Sequence, residues 1–306
     1  MDVSVIIPIF NEEQFIVQCY ESLISCLDES KLSYEIVIID NGSSDQTPAL
    51  LKSFKNASVY NIPRSTISYA RNVGASKSKG NVLAFIDGDV VVNDVWVDSV
   101  SRFVEDRKTP FLTGYEVIIR EKPSWIEKHW FGNLASNHIN SANLIISRSA
   151  FDMLGGFNED LKTGEDYDLC DRAKKNNNIY YCPVKSFEAI HLGYPSTLSG
   201  FIKRELWHGE GDFSSFKTFL SSKVALLSVF YFAIQVHAIA FFVVGCYLYG
   251  LIFMFFLCSL NIYITSARFK NKPLKTLVIN NFLNYCYFSA RFGSLFLALA
   301  RRSRKY

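Results

Sequence analysis

The stretch Val82-Leu83-Ala84-Phe85-Ile86-Asp87-Gly88-Asp89 decides how this chain is read: an apolar run leads directly into two carboxylates separated by one glycine. A short, continuously apolar run of this kind predicts a strand buried on both faces. Residues i and i+2 of a strand point to the same side, so Asp87 and Asp89 are expected to converge on one ligand. Gly88 lets the backbone turn and brings main-chain groups close to whatever binds. Two hard oxygen ligands at a strand tip suit a divalent cation holding a diphosphate, because Mg2+ is usually bound by one or two carboxylates plus phosphates.

The residues around this stretch repeat its logic. Val3 to Ile9 is an apolar, β-branched strand, and Asn11-Glu12-Glu13 opens a helix reaching about Leu27. Tyr34 to Ile39 is a second buried strand, followed by Asp45 as N-cap of a helix to Phe54, a short strand near Val59 and a helix from about Ser68. Apolar strands separated by helices predict an α/β fold with a parallel sheet. Ligands of such sheets bind at the carboxyl ends of the strands. Three of those ends carry polar residues: Pro8, Phe10, Asn11 and Glu12 after the first, Asp40-Asn41-Gly42-Ser43-Ser44-Asp45 after the second, and Asp87-Gly88-Asp89. Asn41-Gly42 reads as turn chemistry. Asp40 ends a buried strand and needs a partner. Arg71, in Tyr69-Ala70-Arg71-Asn72-Val73-Gly74, lies in a helix that Gly80 ends. No glycine-rich phosphate loop is present, so a nucleotide here is held by a metal and side chains.

Beyond Asp89 the pattern predicts a helix over Asn93 to Val104, strands over Phe111 to Ile119 and Ser141 to Ser147, and a helix from about Arg148. Glu165 and Asp166 start a further helix, whose exposed N-terminal amides favour carboxylates.

The net charge of +3 is unevenly spread. Asp212 is the last acidic residue, and eleven lysines and arginines follow it. Val224 to Ala267 carries no formal charge with His237 neutral. One helix of that length measures about 66 Å, against a hydrocarbon core of about 30 Å. The segment therefore reads as a hairpin of two transmembrane helices, about 224–244 and 247–267, turning near Gly245 to Gly250. Lys223 before it and Arg268, Lys270, Lys272 and Lys275 after it place both ends in the cytoplasm. From Thr276 to Ala300, the residues Asn280, Asn284, Tyr287, Arg291 and Ser294 form one polar stripe, which predicts an amphipathic helix lying on the membrane surface. The closing Arg301-Arg302-Ser303-Arg304-Lys305 suits anionic headgroups. No secretory leader is expected, and seven cysteines without a C-x-x-C pair fit unpaired thiols in a reducing compartment. The expected layout is a cytoplasmic domain over 1–220 and a membrane region over 221–306, in a multi-pass protein of the cell membrane. Its partners are membrane lipids rather than nucleic acid.

Five stretches together carry a resemblance: Val3-Ser4-Val5-Ile6-Ile7-Pro8-Ile9-Phe10-Asn11-Glu12, Asp40-Asn41-Gly42-Ser43-Ser44-Asp45, Ala70-Arg71-Asn72-Val73-Gly74, Asp87-Gly88-Asp89 and Gly164-Glu165-Asp166-Tyr167-Asp168. In this order, over about residues 1 to 210, the chain resembles the family 2 glycosyltransferases, which have the GT-A fold. The resemblance implies an inverting glycosyltransferase that uses Mg2+ or Mn2+ and a nucleotide-sugar donor, UDP- or dTDP-linked. Pro8, Phe10, Glu12, Asp40, Arg71, Asp87 and Gly88 then serve the donor. Asp40 accepts the N3–H of a uracil or thymine, Pro8 and Phe10 line the base, Arg71 contacts the nucleotide, and Asp87 lies near ribose and metal. Asp89 is the metal ligand, and His191 completes the metal site in some relatives of this fold. Asp166 matches the catalytic base. Asn41 stands where the family often has aspartate. The Gln-x-x-Arg-Trp motif of processive polymerases is missing, which with only two spans implies transfer of a single sugar to a lipid-linked or glycan acceptor. Two other classes stay open at this level: an inactive membrane scaffold, which is expected to lose Asp89 or Asp166, and a nucleotidyltransferase, which is expected to bring a glycine-rich basic loop near Val3 to Glu13.

Overall fold

Val3–Ile9 forms strand β1, buried along its whole length, and the sheet is built outward from it. The computed structural model describes the chain apart from residues 106–108, 135–137 and 304–306 and the side chains of 301–303. After β1 come helix α1 (Ile16–Asp28), β2 (Tyr34–Asp40), α2 (Thr47–Leu51), β3 (Ala57–Asn61), α3 (Ile67–Lys77), β4 (Val82–Ile86), β5 (Val90–Val91) and α4 (Asp94–Glu105). Next are β6 (Phe111–Gly114), β7 (Val117–Ile119), α5 (Trp125–His129), β8 (Asn143–Ser147), α6 (Arg148–Leu154), α7 (Glu165–Lys175), β9 (Tyr180–Pro183) and β10 (Ala189–His191). Five helices close the chain: α8 (Leu198–Asp212), α9 (Phe216–Ser221), α10 (Lys223–Val243), α11 (Tyr247–Arg268) and α12 (Leu274–Ser303). The chain divides into two compact units, Met1–Glu121 with Ala135–Tyr194, and Lys122–Leu134 with Pro195–Tyr306.

The first unit holds a seven-stranded sheet in the order β3-β2-β1-β4-β8-β6-β9 and a three-stranded sheet in the order β5-β10-β7. β1, β2, β3 and β4 are parallel, whereas β8 runs against both β4 and β6. The period of two along β1 and β4 sorts side chains onto the two faces. Val5, Ile7, Ala84 and Ile86 join a cluster with Leu23, Trp96 and Phe187, while Ile6, Leu83 and Phe85 meet Phe151, Phe157 and Leu169 on the other side. The register sets Ile9 opposite Asp40, so β1 and β2 end level with each other.

The expected strand Phe111 to Ile119 is two strands in different sheets. The chain bends at Gly114, whose φ of +134° is a glycine conformation and whose place leaves no room for a Cβ, which would lie 2.3 Å from the Asn143 carbonyl oxygen. Asn143 occupies that crossing: it accepts from Trp96 Nε1 at 2.8 Å and donates to the carbonyls of Phe187 and, at 3.3 Å, Tyr115. Helix α1 starts later than the sequence suggests, at Ile16, because the amides of Asn11, Glu12 and Glu13 are taken by Ser43, Thr47 and Asp45 across the neighbouring loop. Asp45 closes a turn onto Thr47 (3.0 Å) rather than capping α2, which is also shorter than expected.

In the second unit, α10 and α11 are long and apolar enough to cross a membrane, with mean hydropathy of 2.1 and 1.9. They are joined by a turn at Gly245, with φ of +79°, while Gly250 lies inside α11. Helix α12 has the expected polar stripe, but the stripe faces protein. Asn280, Asn284 and Ser294 are fully buried, whereas Val278 and Phe296 are 63% and 59% exposed. The reason is that Asn280, Asn284 and Arg291 find partners on other helices of this unit. Asn280 donates to the His129 carbonyl at 2.7 Å, Asn284 to Asn261 at 2.8 Å, and Arg291 holds Glu205 at 2.9 Å and Asp212 at 3.2 Å. Arg204 also pairs with Glu205, at 2.9 Å, and covers the Phe131 ring. The closing basic run over 301–305 lies outside the described side chains.

Candidate active site

Every strand end singled out by sequence lies on one edge of the first unit. Asp40 closes β2 almost fully buried, and its Oδ1 accepts from the Ser43 amide at 2.9 Å. Phe10, partly exposed just past β1, carries the Arg64 guanidinium over its ring at 3.5 Å. Gly42, at φ +75°, permits this approach, since a Cβ there would stand 3.1 Å from the Arg64 amide nitrogen. Asn41 does more than turn the chain: its Oδ1 accepts from the Ser65 amide at 2.8 Å and its Nδ2 donates to the Ser65 carbonyl at 3.1 Å, so it fixes the loop that carries Arg64. Arg64 was not legible in the sequence, because only the fold brings it to Phe10.

At the next strand end the two aspartates part company. The strand stops at Ile86, and Asp87-Gly88-Asp89 forms a turn in which the Val90 amide donates to the Asp87 carbonyl at 3.1 Å. The alternation expected to bring both carboxylates onto one ligand therefore does not apply. Asp87 Oδ1 accepts from Arg71 Nη2 at 2.7 Å, and Arg71 Nη1 donates to Glu165 Oε1 at 2.7 Å. Arg71 is 2% exposed, so its charge is spent on joining the β4 tip to the start of α7. Buried ion pairs of this kind persist only when geometry and further hydrogen bonds offset desolvation.

Asp89 faces the small sheet instead. His191 Nε2, at the end of β10, lies 3.4 Å from Asp89 Oδ2. Gly193 is packed so closely that a Cβ there would fall 2.1 Å from the same oxygen. His191 stacks on Tyr194, and its buried Nδ1 has no hydrogen-bond partner among the described residues. Glu12 completes the neighbourhood. Burial first, and then the charges of Asp89, Asp87 and Asp45, push its carboxyl up to about 9. Gly88 makes room for it, since a Cβ there would stand 3.2 Å from Glu12 Cγ.

A crowd of carboxylates that holds one of its members protonated is a site of negative potential. A carboxylate oxygen and an imidazole nitrogen side by side suit a divalent ion such as Mn2+ or Mg2+. Among the described residues no three such side chains close around an ion by themselves. The residues fit a cation only if phosphate oxygens supply the remaining ligands, which is how Mg2+ is commonly held.

Asp166 stands in the first turn of α7, after Gly164 at φ +83°. Its Oδ1 accepts from the Tyr167 amide at 2.7 Å, and its Oδ2 lies 3.3 Å from His138 Nε2. Burial opposes its ionisation, but the His138 contact, the Tyr167 amide and the Arg71 charge outweigh that and hold the carboxyl below its usual range. Glu165 beside it moves the other way, raised by burial despite Arg71. The two adjacent carboxylates thus differ in role: Glu165 anchors, and Asp166 stays ionised.

Known proteins resemble this chain in sequence and in fold. Over 101 residues the chain is 37% identical to the glycosyltransferase AglE of Haloferax volcanii, an overlap of 31% of this chain and 33% of AglE. Over 117 residues it is 26% identical to the poly(ribitol-phosphate) beta-N-acetylglucosaminyltransferase TarS of Staphylococcus aureus, covering 37% of this chain and 20% of TarS. The chain thus spans a third or less of the length of these curated relatives. Among solved structures, the mannosyltransferase PcManGT of Pyrobaculum calidifontis superposes over 97% of this chain and 86% of its own, with a TM-score of 0.55 at 14% identity. S. aureus TarS superposes over 95% of this chain and 55% of its own, with a TM-score of 0.51 at 19% identity. These likenesses establish the GT-A type of fold. The model of the glycosyl transferase family 2 sequence pattern matches residues 4–158, just over half of the chain and the part that holds Asp40, Arg71, Asp87 and Asp89. The chain belongs to glycosyl transferase family 2.

Proposed function

We propose that the chain is an inverting, hexosyl-type glycosyltransferase that moves one sugar from a UDP- or dTDP-linked donor to a hydroxyl of a lipid-linked acceptor in glycan or polysaccharide assembly. The observation that carries this reading is the shared edge: Asp40 and Phe10, Asp89 with His191, and Asp166 all belong to one unit, at the ends of its strands and the start of α7. Asp40 accepts the N3–H of the pyrimidine, while Pro8 and Phe10 line the base, with Arg64 against the Phe10 ring. Asp87, steadied by Arg71, and the Gly88 backbone adjoin the ribose and diphosphate, with Glu12 beneath them. Asp89 and His191 would hold a divalent cation, Mg2+ or Mn2+, which when bound neutralises charge on the departing diphosphate. Asp166 takes the proton of the acceptor hydroxyl as general base. The acceptor oxygen bonds to the anomeric carbon as the bond from that carbon to the diphosphate oxygen breaks, and the electron pair leaves with the diphosphate. One attack from the opposite face inverts the centre. PcManGT was solved in complex with GDP-Man and Mn2+, which supports a nucleotide-sugar donor and a divalent metal in general terms. TarS is named for a poly(ribitol-phosphate) acceptor, which supports a glycan or glycopolymer acceptor.

The apolar hairpin and its basic flanks support a membrane-anchored enzyme with the hairpin ends in the cytoplasm. An acceptor on a lipid carrier fits an enzyme held at that surface.

The test is a donor screen on membranes containing the full chain, following release of nucleoside diphosphate. Release from UDP- or dTDP-sugars, abolished by EDTA and restored by Mn2+ or Mg2+, is expected. Pyrophosphate released from a nucleoside triphosphate and a sugar 1-phosphate, with no nucleoside diphosphate from any donor, points to a nucleotidyltransferase, and no release in either assay to a scaffold; either overturns the proposal, as does release confined to purine-linked donors. Gly193→Ala provides a second check. The added methyl displaces the Asp89 carboxylate, and a misplacement of about 1 Å costs on the order of a hundredfold in rate. The thermal midpoint is expected to stay within a few degrees, and wild-type turnover in this variant sinks the placement of the cation at Asp89.

A further inference from the structure

Neither the sequence motifs nor the family pattern singles out His138, which lies beside Asp166. Its Nε2 lies 3.3 Å from Asp166 Oδ2, and its ring meets the Tyr167 ring edge-on, with centroids 5.7 Å apart. Both side chains are mostly shielded, His138 at 24% and Asp166 at 16% exposure. Asp166 has one oxygen on its own Tyr167 amide and the other on the imidazole, so its carboxylate plane is fixed from both sides. Among the described residues, the Arg71 charge also acts on Asp166.

We infer that His138 is a positioning residue for proton removal: its imidazole orients the Asp166 carboxylate toward the acceptor. The inference rests on the reading of Asp166 as base. Nε2–H donates to Oδ2 and leaves lone pairs of the carboxylate free to take the acceptor's proton.

The experiment measures kcat and KM for a UDP- or dTDP-sugar on membranes bearing wild type, His138→Gln, His138→Leu and Asp166→Asn. Gln keeps an N–H donor, so kcat stays within a few-fold of wild type. Leu removes the orienting bond, and kcat falls about tenfold with donor KM unchanged, the scale of one hydrogen bond to a charged group. A fall of about tenfold or more in kcat for His138→Gln overturns the inference, and it does so whether or not the Leu variant folds. Full activity in His138→Leu overturns it as well. Asp166→Asn separates the two levels. If that variant keeps wild-type activity, the proposed mechanism fails; if it is inactive while both His138 variants match wild type, only the role of His138 fails.

Discussion

Asp166→Asn is expected to lower transfer by about 10²- to 10⁴-fold, the range that a positioned general base supplies. The substitution keeps the size of the side chain and removes only the ability to take a proton. The Tyr167 amide still finds an oxygen acceptor, and Arg71 keeps its two main partners, Asp87 and Glu165. Donor affinity and the thermal midpoint should therefore hold while kcat collapses. Measuring KM for the donor together with kcat distinguishes this from a general loss of fold. A kcat within tenfold of wild type is incompatible with Asp166 as the base.

Arg71→Met carries the largest expected effect on stability, about 3–5 kcal/mol, because removing one partner of a buried ion pair strands the others. Here two carboxylates, Asp87 and Glu165, lose their counter-charge at once. Total stabilities of about 5–15 kcal/mol leave little margin for that. The loss is also pH-dependent in a defined direction. The stranded carboxylates penalise the folded state while they are ionised, so the deficit should shrink as pH falls through the carboxyl range. Glu165, already raised by burial, is expected to take up its proton first. Adding Glu165→Gln to Arg71→Met should recover part of the stability at neutral pH. Thermal midpoints of the three chains between pH 5 and 8 check this, and a pH-independent deficit contradicts it.

The contrast between these two residues shows what sequence conveyed. Val3–Ile9 and Val82–Ile86 were legible because strands buried on both faces need apolar residues at every position, and the polar residues just past them follow from sheet topology. Asp166 was legible only through its motif. Arg71 was legible as a donor-site residue through its motif, but not as the tie between two carboxylates: its bond to Glu165 joins residues 94 apart, and nothing local records it. The break at Gly114 was invisible because Phe111 to Ile119 has strand-forming residues throughout, and the bend depends on the buried Asn143 across the sheet. The turn after Ile86 likewise overrode the alternation that strand geometry predicts for Asp87 and Asp89. His138 and Arg64 lie in loops without periodicity, where only the fold assigns neighbours. For α12 the periodicity revealed a polar stripe but not which medium it faces, because buried asparagines paired with other helices and asparagines facing water give the same pattern.

The contacts of Arg291 bear on how such an enzyme can be taken apart in evolution. Glu205 and Asp212 of α8 share their charge with a residue that follows the hairpin, and the His129 carbonyl at the end of α5 is held by Asn280. The exchangeable module is consequently neither the hairpin nor the hairpin with its tail. A lineage that trades this apolar hairpin for another must carry α5, α8 and α12 together, although more than sixty residues of chain separate α5 from α8, or else replace both carboxylates in the same step.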